Sequence, residues 1–516
     1  MEGVSRRGVL WIAFAVVHLA VAVLGFLEPN APMGDVYLVY EPWSGCTLMP
    51  SSEYCGIPPV WNIPGITDSW VYPQLALVPM LLAWLFAWLV SYTPAWAILV
   101  TLVDAGVFAA LVGRGRSTGR RVGAWFWLAF IVLLGPVGMY RLEGVTVPLA
   151  ILGCLWLVRR PWVASILLAV ATWIKVWPAA LIAAALIAVR RRLAILGGAA
   201  VVTAATLLVI ATMGGLHNAF GFVGDQTTRG LQIEAPVSSF YLWGATLAFR
   251  GWDVNYDPEV LTFQVTGPNV DVVIALMTPL MLIAMLAIVA LGAYKAWRGA
   301  SFARLFPVLA LSIVLAFIVF NKVGSPQYIA WIAAPLVLGL VVERDRWTRP
   351  GVLLLAIAFV TQLIYPLTYG GLMRRVPFID PLPVTLLTIR NVLLVVMLAW
   401  MVARLARVPA HARSRFAARV RVPVPAAGTT LAPEPVLAGA GATLAPTEPG
   451  STLAPTEPGS TLAPEFTASA VAPATGPVSV ATASATLVSD SAASAVAPVT
   501  GSLPTAPSTG PVATTP

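Results

Sequence analysis

Apolar runs long enough to cross a bilayer follow one another from residue 8 to about residue 403, beginning with "GVLWIAFAVVHLAVAVLGFL". A transmembrane helix needs about 20 mostly apolar residues in a row. No water-soluble core uses so much apolar chain, and the composition agrees, at 59% hydrophobic and 10% charged. In lipid a helix satisfies its own backbone polar groups, so the sequence predicts an all-α polytopic membrane protein. The net charge of +9 does not call for nucleic acid, because the Arg residues lie mostly in short loops between apolar runs, the cytoplasmic pattern of membrane proteins. The first run follows Arg6 and Arg7 with no clear small-residue cleavage site, so an uncleaved span is expected.

Orientation follows from the basic clusters: Arg6–Arg7, "RGRSTGRR" at 114–121, Arg159–Arg160, Arg190–Arg192, "YKAWR" at 294–298, "ERDRWTR" at 343–349, and 404–421. Placing all of them inside the cell constrains two stretches. In 71–112, "VYPQLALVPMLLAWLFAWLV" becomes an interfacial or re-entrant helix on the outer side, with Trp84 and Trp88 at the interface and 95–112 as the next span. The stretch "ILLAVATWIKVWPAALIAAALIAV" at 166–189 becomes two half-helices meeting near Lys175, because Pro178 cannot donate a helical hydrogen bond. Each half would rise roughly 18 Å against a hydrocarbon core of roughly 30 Å, leaving Lys175 at the floor of a cavity open to the outside.

The other expected spans are 9–27, 122–139, 146–158, 193–213, 270–293, 305–320, 328–342, 351–369 and 382–403. Together they make about twelve crossings with both termini cytoplasmic. Residues 1–403 form the membrane domain, with long outer loops at 28–94 and 214–269 that hold most of its acids. Residues 404–421 are a basic juxtamembrane segment suited to anionic headgroups. Residues 422–516 are rich in Pro, Ala, Thr and Ser and repeat "TLAPTEPGS"; such composition cannot bury a core, and a disordered cytoplasmic tail is expected.

Ionisable groups inside apolar runs are costly and need a reason. Lys175 is the foremost; its plain alternatives are snorkelling to a headgroup or pairing with a carboxylate. Asp104, in "LVDAGVF", is expected to hydrogen-bond a neighbouring helix. Asp35, in "APMGDVYLVYEPW", places a carboxylate just beyond the first span. There it can serve as a general base or be no more than a solvated loop acid. "TTRGLQIEAP" offers Arg229, Gln232 and Glu234; "FNKVGSPQYIAW" offers Lys322, Gln327 and Tyr328; "YRLEG" offers Arg141 and Glu143. Several of these are outer-side cations, and cations converging on one cavity suit a phosphate. Cys46 and Cys55 share one outer loop and either pair or remain free thiols; Cys154 is expected to pack in a span.

No Walker motif is present, and "GRGRSTGR" follows a span in a basic loop, so it is discounted as a nucleotide site. His18, His217 and His411 are far apart, and no metal-ligand spacing is seen. Neither a metal nor another cofactor is expected.

The order "GDVYLVYEPW", "YPQLAL", "WIKVWP", "RGLQIE", "NKVGSPQYIAW" resembles the actinobacterial polyprenyl-phosphate-mannose-dependent mannosyltransferases of glycosyltransferase family 87. These belong to the membrane-embedded C-type glycosyltransferase superfamily, and the likeness covers roughly 9–403. The resemblance implies a C-type architecture and a sugar donor carried on a polyprenyl phosphate. It implies inverting transfer on the outer face of the plasma membrane to a glycolipid or polysaccharide acceptor. It also implies Asp35 as general base, with Lys175, Arg229 and Lys322 on the donor phosphate. Gln327 and Tyr328 would bind substrate, and Glu234 would hold Arg229 or a sugar hydroxyl; Arg141, read from the residues alone, is a further substrate-binding candidate. Mannose is the expected sugar, with arabinose or another polyprenyl-linked sugar as alternative. The loop from Cys46 to Pro64, "RLEG" and the tail depart from the family pattern.

A flippase or transporter of lipid-linked sugars would also use many spans and a broken helix. It would have less need of long acidic, aromatic outer loops, and no repeat relates 9–213 to 270–403. A membrane scaffold would leave the outer polar groups without a purpose.

Overall fold

The computed structural model describes residues 6–56, 60–224, 229–257, 262–373 and 379–409; the expected tail and most of the basic segment lie outside the described residues. Seven of the described helices are long and apolar enough to cross a membrane: Arg6–Leu27, Tyr92–Val112, Arg192–Thr212, Val270–Trp297, Phe302–Val319, the Pro326–Thr368 stretch and Pro381–Ala406. Large apolar side chains such as Leu19, Leu208, Ile283 and Leu286 are exposed along them. Apolar surface on that scale calls for lipid rather than water, and marks a membrane protein. Phe302–Val319 is the inner helix, buried on nearly every side, whereas Val270–Trp297 is mostly exposed.

The long Ala333–Gln362 helix is interrupted at Glu343, where φ is −138° and ψ 60°. A Cβ placed on Gly351 would lie 3.7 Å from Leu336 Cδ2. A straight helix would separate the two by about 22 Å at 1.5 Å per residue. The chain therefore doubles back at the polar "ERDRWTR", as two separate spans require. Thr118–Leu134 packs along this hairpin.

The helix expected to break near Lys175 does break. Pro161–Ile174 ends at Lys175, which is extended (φ −155°, ψ 132°), and Ala179–Ala188 begins after Pro178. At 1.5 Å per residue these pieces rise about 21 and about 15 Å, so neither crosses the apolar core alone. Glu143–Trp156 and Pro161–Ile174 pack on each other across the short turn 157–160, with Gly153 against Leu168. The stretch 71–90 holds the helix Leu77–Ala87, about 16 Å long and also too short to cross.

The all-α expectation needs one correction. Asp253–Asp257 and Thr262–Thr266 pair as an antiparallel hairpin, with Val254 opposite Val265, and Gln232 bridges to Gln264. Val254 and Val265 are buried while neighbours stay partly exposed, the alternation that a half-covered sheet requires.

Candidate functional site

Asp35 stands at the end of a tight turn after the first helix and opens the short helical segment Val36–Tyr40. The turn is tied to a distant part of the chain: Asn30 Nδ2 donates to the Pro366 carbonyl at 2.6 Å, and Tyr365 OH donates to the Asn30 carbonyl at 3.2 Å. The Asp35 carboxylate is paired with the Arg141 guanidinium. Arg141 also reaches Tyr365 OH at 3.5 Å and lies 5.9 Å from the centre of that ring.

Arg141 and Glu143 share a tight reversal whose next residue must be glycine. A Cβ on Gly144 would fall 1.8 Å from the Met139 carbonyl oxygen. Glu143 is completely buried in the first turn of Glu143–Trp156, and Lys175 caps the C-terminal end of Pro161–Ile174. The packed pair of helices, each 14 residues long, brings those two ends together. Helix dipoles favour an acid at the first end and a cation at the second. Lys175 Nζ lies 2.6 Å from Glu143 Oε1, which also accepts from Trp331 Nε1 at 3.0 Å. The ammonium is 5.6 Å from both the Tyr72 and the Tyr328 ring centres, within cation–π range. Tyr328 stacks on Trp331 at 3.9 Å, and Trp331 on Trp177. Lys175 is thus paired with a carboxylate, one of the alternatives the sequence left open for it.

The segments 229–235 and 320–325 run side by side. Gln232 N donates to the Lys322 carbonyl at 3.0 Å, and Gly324 N donates to Gln232 Oε1 at 3.2 Å. Gly324 permits the approach, since a Cβ there would meet the Glu234 backbone at 2.3 Å. This brings Arg229 and Lys322 within each other's field: burial, then the charge of Arg229, lowers the Lys322 ammonium from its ordinary value. Lys322 also lines a cavity of about 420 Å³ with Asp271, Ile274, Ala275 and Thr278, one face of the exposed Val270–Trp297 helix.

Of the two partners expected for Glu234, Arg229 is not the one it holds: Glu234 is buried, its Oε1 accepts from Tyr369 OH at 2.6 Å, and its Oε2 has no partner. Arg390, itself buried, donates to the Glu234 backbone carbonyl and, at 2.8 Å, to Asn391 Oδ1. Burial raises the Glu234 carboxyl from its ordinary value, opposed by the Tyr369 hydrogen bond and the Arg390 charge. Tyr369 meets Tyr365 edge to face at 5.0 Å, which links this group to Arg141. Gln327 is buried beside Tyr328, and Cys46 is joined to Cys55 by a disulfide.

Residues far apart in sequence therefore share one polar region: Asp35 with Arg141, Glu143 with Lys175, and Arg229 with Lys322. Tyr72, Tyr365, Tyr369 and Arg390 complete it and were not foreseen, although Arg390, inside the apolar run "LLTIRNVLL", carried the same signal as Lys175. Among the described residues, buried polar atoms without a hydrogen-bond partner include Glu143 Oε2, Glu234 Oε2, Gln327 Oε1, Arg141 Nε and Arg229 Nε. No group of His, Cys, Asp or Glu among the described residues is arranged to hold a metal. Compared with protein-family models, curated proteins and solved structures, the chain matches none.

Proposed function

We propose that this protein transfers a sugar from a polyprenyl-phosphate donor to a glycolipid or polysaccharide acceptor on the outer face of the plasma membrane, with mannose as the expected sugar. One observation carries the reading: charged residues from five distant segments meet in one largely buried region of an otherwise apolar, membrane-embedded chain. Buried acceptors and donors without partners there suit a ligand that is both polyhydroxylated and anionic. A sugar on a phosphate is such a ligand.

Asp35 takes the proton of the acceptor hydroxyl as its oxygen attacks the anomeric carbon from the face opposite the leaving phosphate. The bond from that carbon to the phosphate oxygen breaks, and the configuration inverts. Arg141 orients the Asp35 carboxylate. Arg229 and Lys322 stabilise the charge growing on the leaving phosphate. The lipid chain reaches Lys322 along the face of Val270–Trp297 that lines its cavity. The Cys46–Cys55 disulfide supports placing the 28–94 loop in an oxidising compartment, on the outer side. The pair of short helices meeting at Lys175 supports the half-helix reading, about twelve crossings and both termini inside.

The test uses membranes containing wild-type protein or Asp35→Asn, with labelled polyprenyl-phosphate mannose and native lipid acceptors. Label passing into new glycolipid or polymer with wild type, and not with equally expressed Asp35→Asn, is the expected result. Undiminished transfer by the variant removes Asp35 from the mechanism. A flippase would move labelled lipid between leaflets of reconstituted vesicles without forming any new glycosidic bond.

A further inference from the structure

We infer that Glu143, held by Lys175, is the residue that recognises hydroxyl groups of the donor sugar. Its partner lysine thereby belongs to the sugar half of the site and not to the phosphate half. The inference rests on the polyprenyl-phosphate-sugar reading above and deepens it.

Glu143 is 0% exposed, and its Oε1 is occupied by Lys175 at 2.6 Å and Trp331 at 3.0 Å. Its Oε2 is buried with no hydrogen-bond partner. An ionised carboxylate only accepts hydrogen bonds, so the group that completes Oε2 must be a donor. A hydroxyl is a donor; a phosphate dianion is not, and would be repelled. The surroundings point the same way. The rings of Tyr72 and Tyr328 flank the ammonium, and Tyr328, Trp331 and Trp177 form one continuous stack. Flat apolar faces beside a buried acceptor suit a pyranose, with C–H groups on the ring faces and hydroxyls at the rim. Glu143 neutralises Lys175 at 2.6 Å, which leaves that cation little attraction for phosphate. The neighbouring cations Arg229 and Lys322 remain the phosphate pair. Lys175 acts through Glu143: it holds the first carboxylate oxygen and so aims the second.

The test measures binding to the full chain in lipid nanodiscs, using labelled polyprenyl phosphate and polyprenyl-phosphate mannose. Wild type should prefer the mannosylated lipid by about tenfold or more, the scale of a hydrogen bond to a charged group. Glu143→Ala should lose this preference and, with Lys175 freed of its partner, should bind bare polyprenyl phosphate at least as tightly as wild type. Glu143→Gln keeps the fold's shape; its amide oxygen turns to Lys175 and Trp331, and the NH2 left where Oε2 stood can donate to a sugar hydroxyl only as a neutral group, so the preference should shrink without vanishing. A wild-type preference in the Gln variant, or equal weakening of both lipids by both variants, overturns the assignment while leaving the site's general reading intact. If wild-type protein binds neither lipid, that reading falls, and the assignment with it.

Discussion

Two buried ionic groups in this molecule differ in one respect. In the first, Asp104 accepts from Trp127 Nε1 at 2.9 Å and meets His18 Nε2 at 3.0 Å. His18 Nδ1 faces the Phe14 carbonyl at 2.9 Å. Each of these side-chain polar atoms has a partner, and the group ties three helices together. In the second, around Asp35, Arg141, Glu143, Lys175 and Glu234, the acids and cations are also paired, yet five buried polar atoms there have no partner. In the reading proposed above, the first group is membrane glue, complete within the protein, and the second keeps hydrogen-bonding capacity for something that arrives. Partnerless buried atoms also occur among the described residues at Glu28, Trp70, Gln74, Arg121, Tyr140 and Gln362, so they mark this region only together with its clustered charges.

Four results would break or sharpen this contrast. Asp35→Asn should lower transfer by at least about a thousandfold, near the upper range for a general base, while the amide oxygen keeps a hydrogen bond to Arg141 and the drop in thermal stability stays smaller than that of Asp104→Ala. Asp104→Ala should do the reverse. It leaves His18 Nε2 and Trp127 Nε1 without their buried partner and should cost about 2–5 kcal/mol in detergent unfolding, with transfer per folded molecule unchanged. Arg229→Gln and Lys322→Gln should each weaken binding of the bare lipid phosphate by about tenfold, read from labelled-lipid binding. The smallest effect concerns pH. Burial and Arg229 lower the Lys322 ammonium, so lipid-phosphate binding should fall as pH rises through that lowered value. In Arg229→Gln one of those two causes is gone, Lys322 holds its proton to higher pH, and the alkaline limb of the binding profile should move upward.

How much of this was legible depends on the range of the interaction. The broken helix was announced by Pro178, which acts on the backbone around it, and by the basic clusters at 159–160 and 190–192, which one continuous span would put on opposite sides. "ERDRWTR" announced the reversal at Glu343 for the same local reason. Asp104 in an apolar run had to find a partner, and did. The pairing of Asp35 with Arg141 was hidden, since it depends on how the turn at 30–33 docks on Tyr365 and Pro366, more than 300 residues away. For Glu234 the resemblance offered Arg229 or a sugar hydroxyl, and Tyr369, 135 residues away, was not among them. The Glu143–Lys175 pair was within reach: both residues stand one helix length from the turn at 157–160, and a hairpin with arms of equal length must bring them together.

That hairpin is in effect a ruler. Each residue added to one arm would advance its end by about 1.5 Å and turn it by about 100°. One inserted amino acid within either helix would therefore swing Glu143 away from Lys175 without replacing a single residue of the site. Extra residues in the turn at 157–160 would leave the arms in step. The chemistry at one end of the molecule is thus set by a length measured from the other.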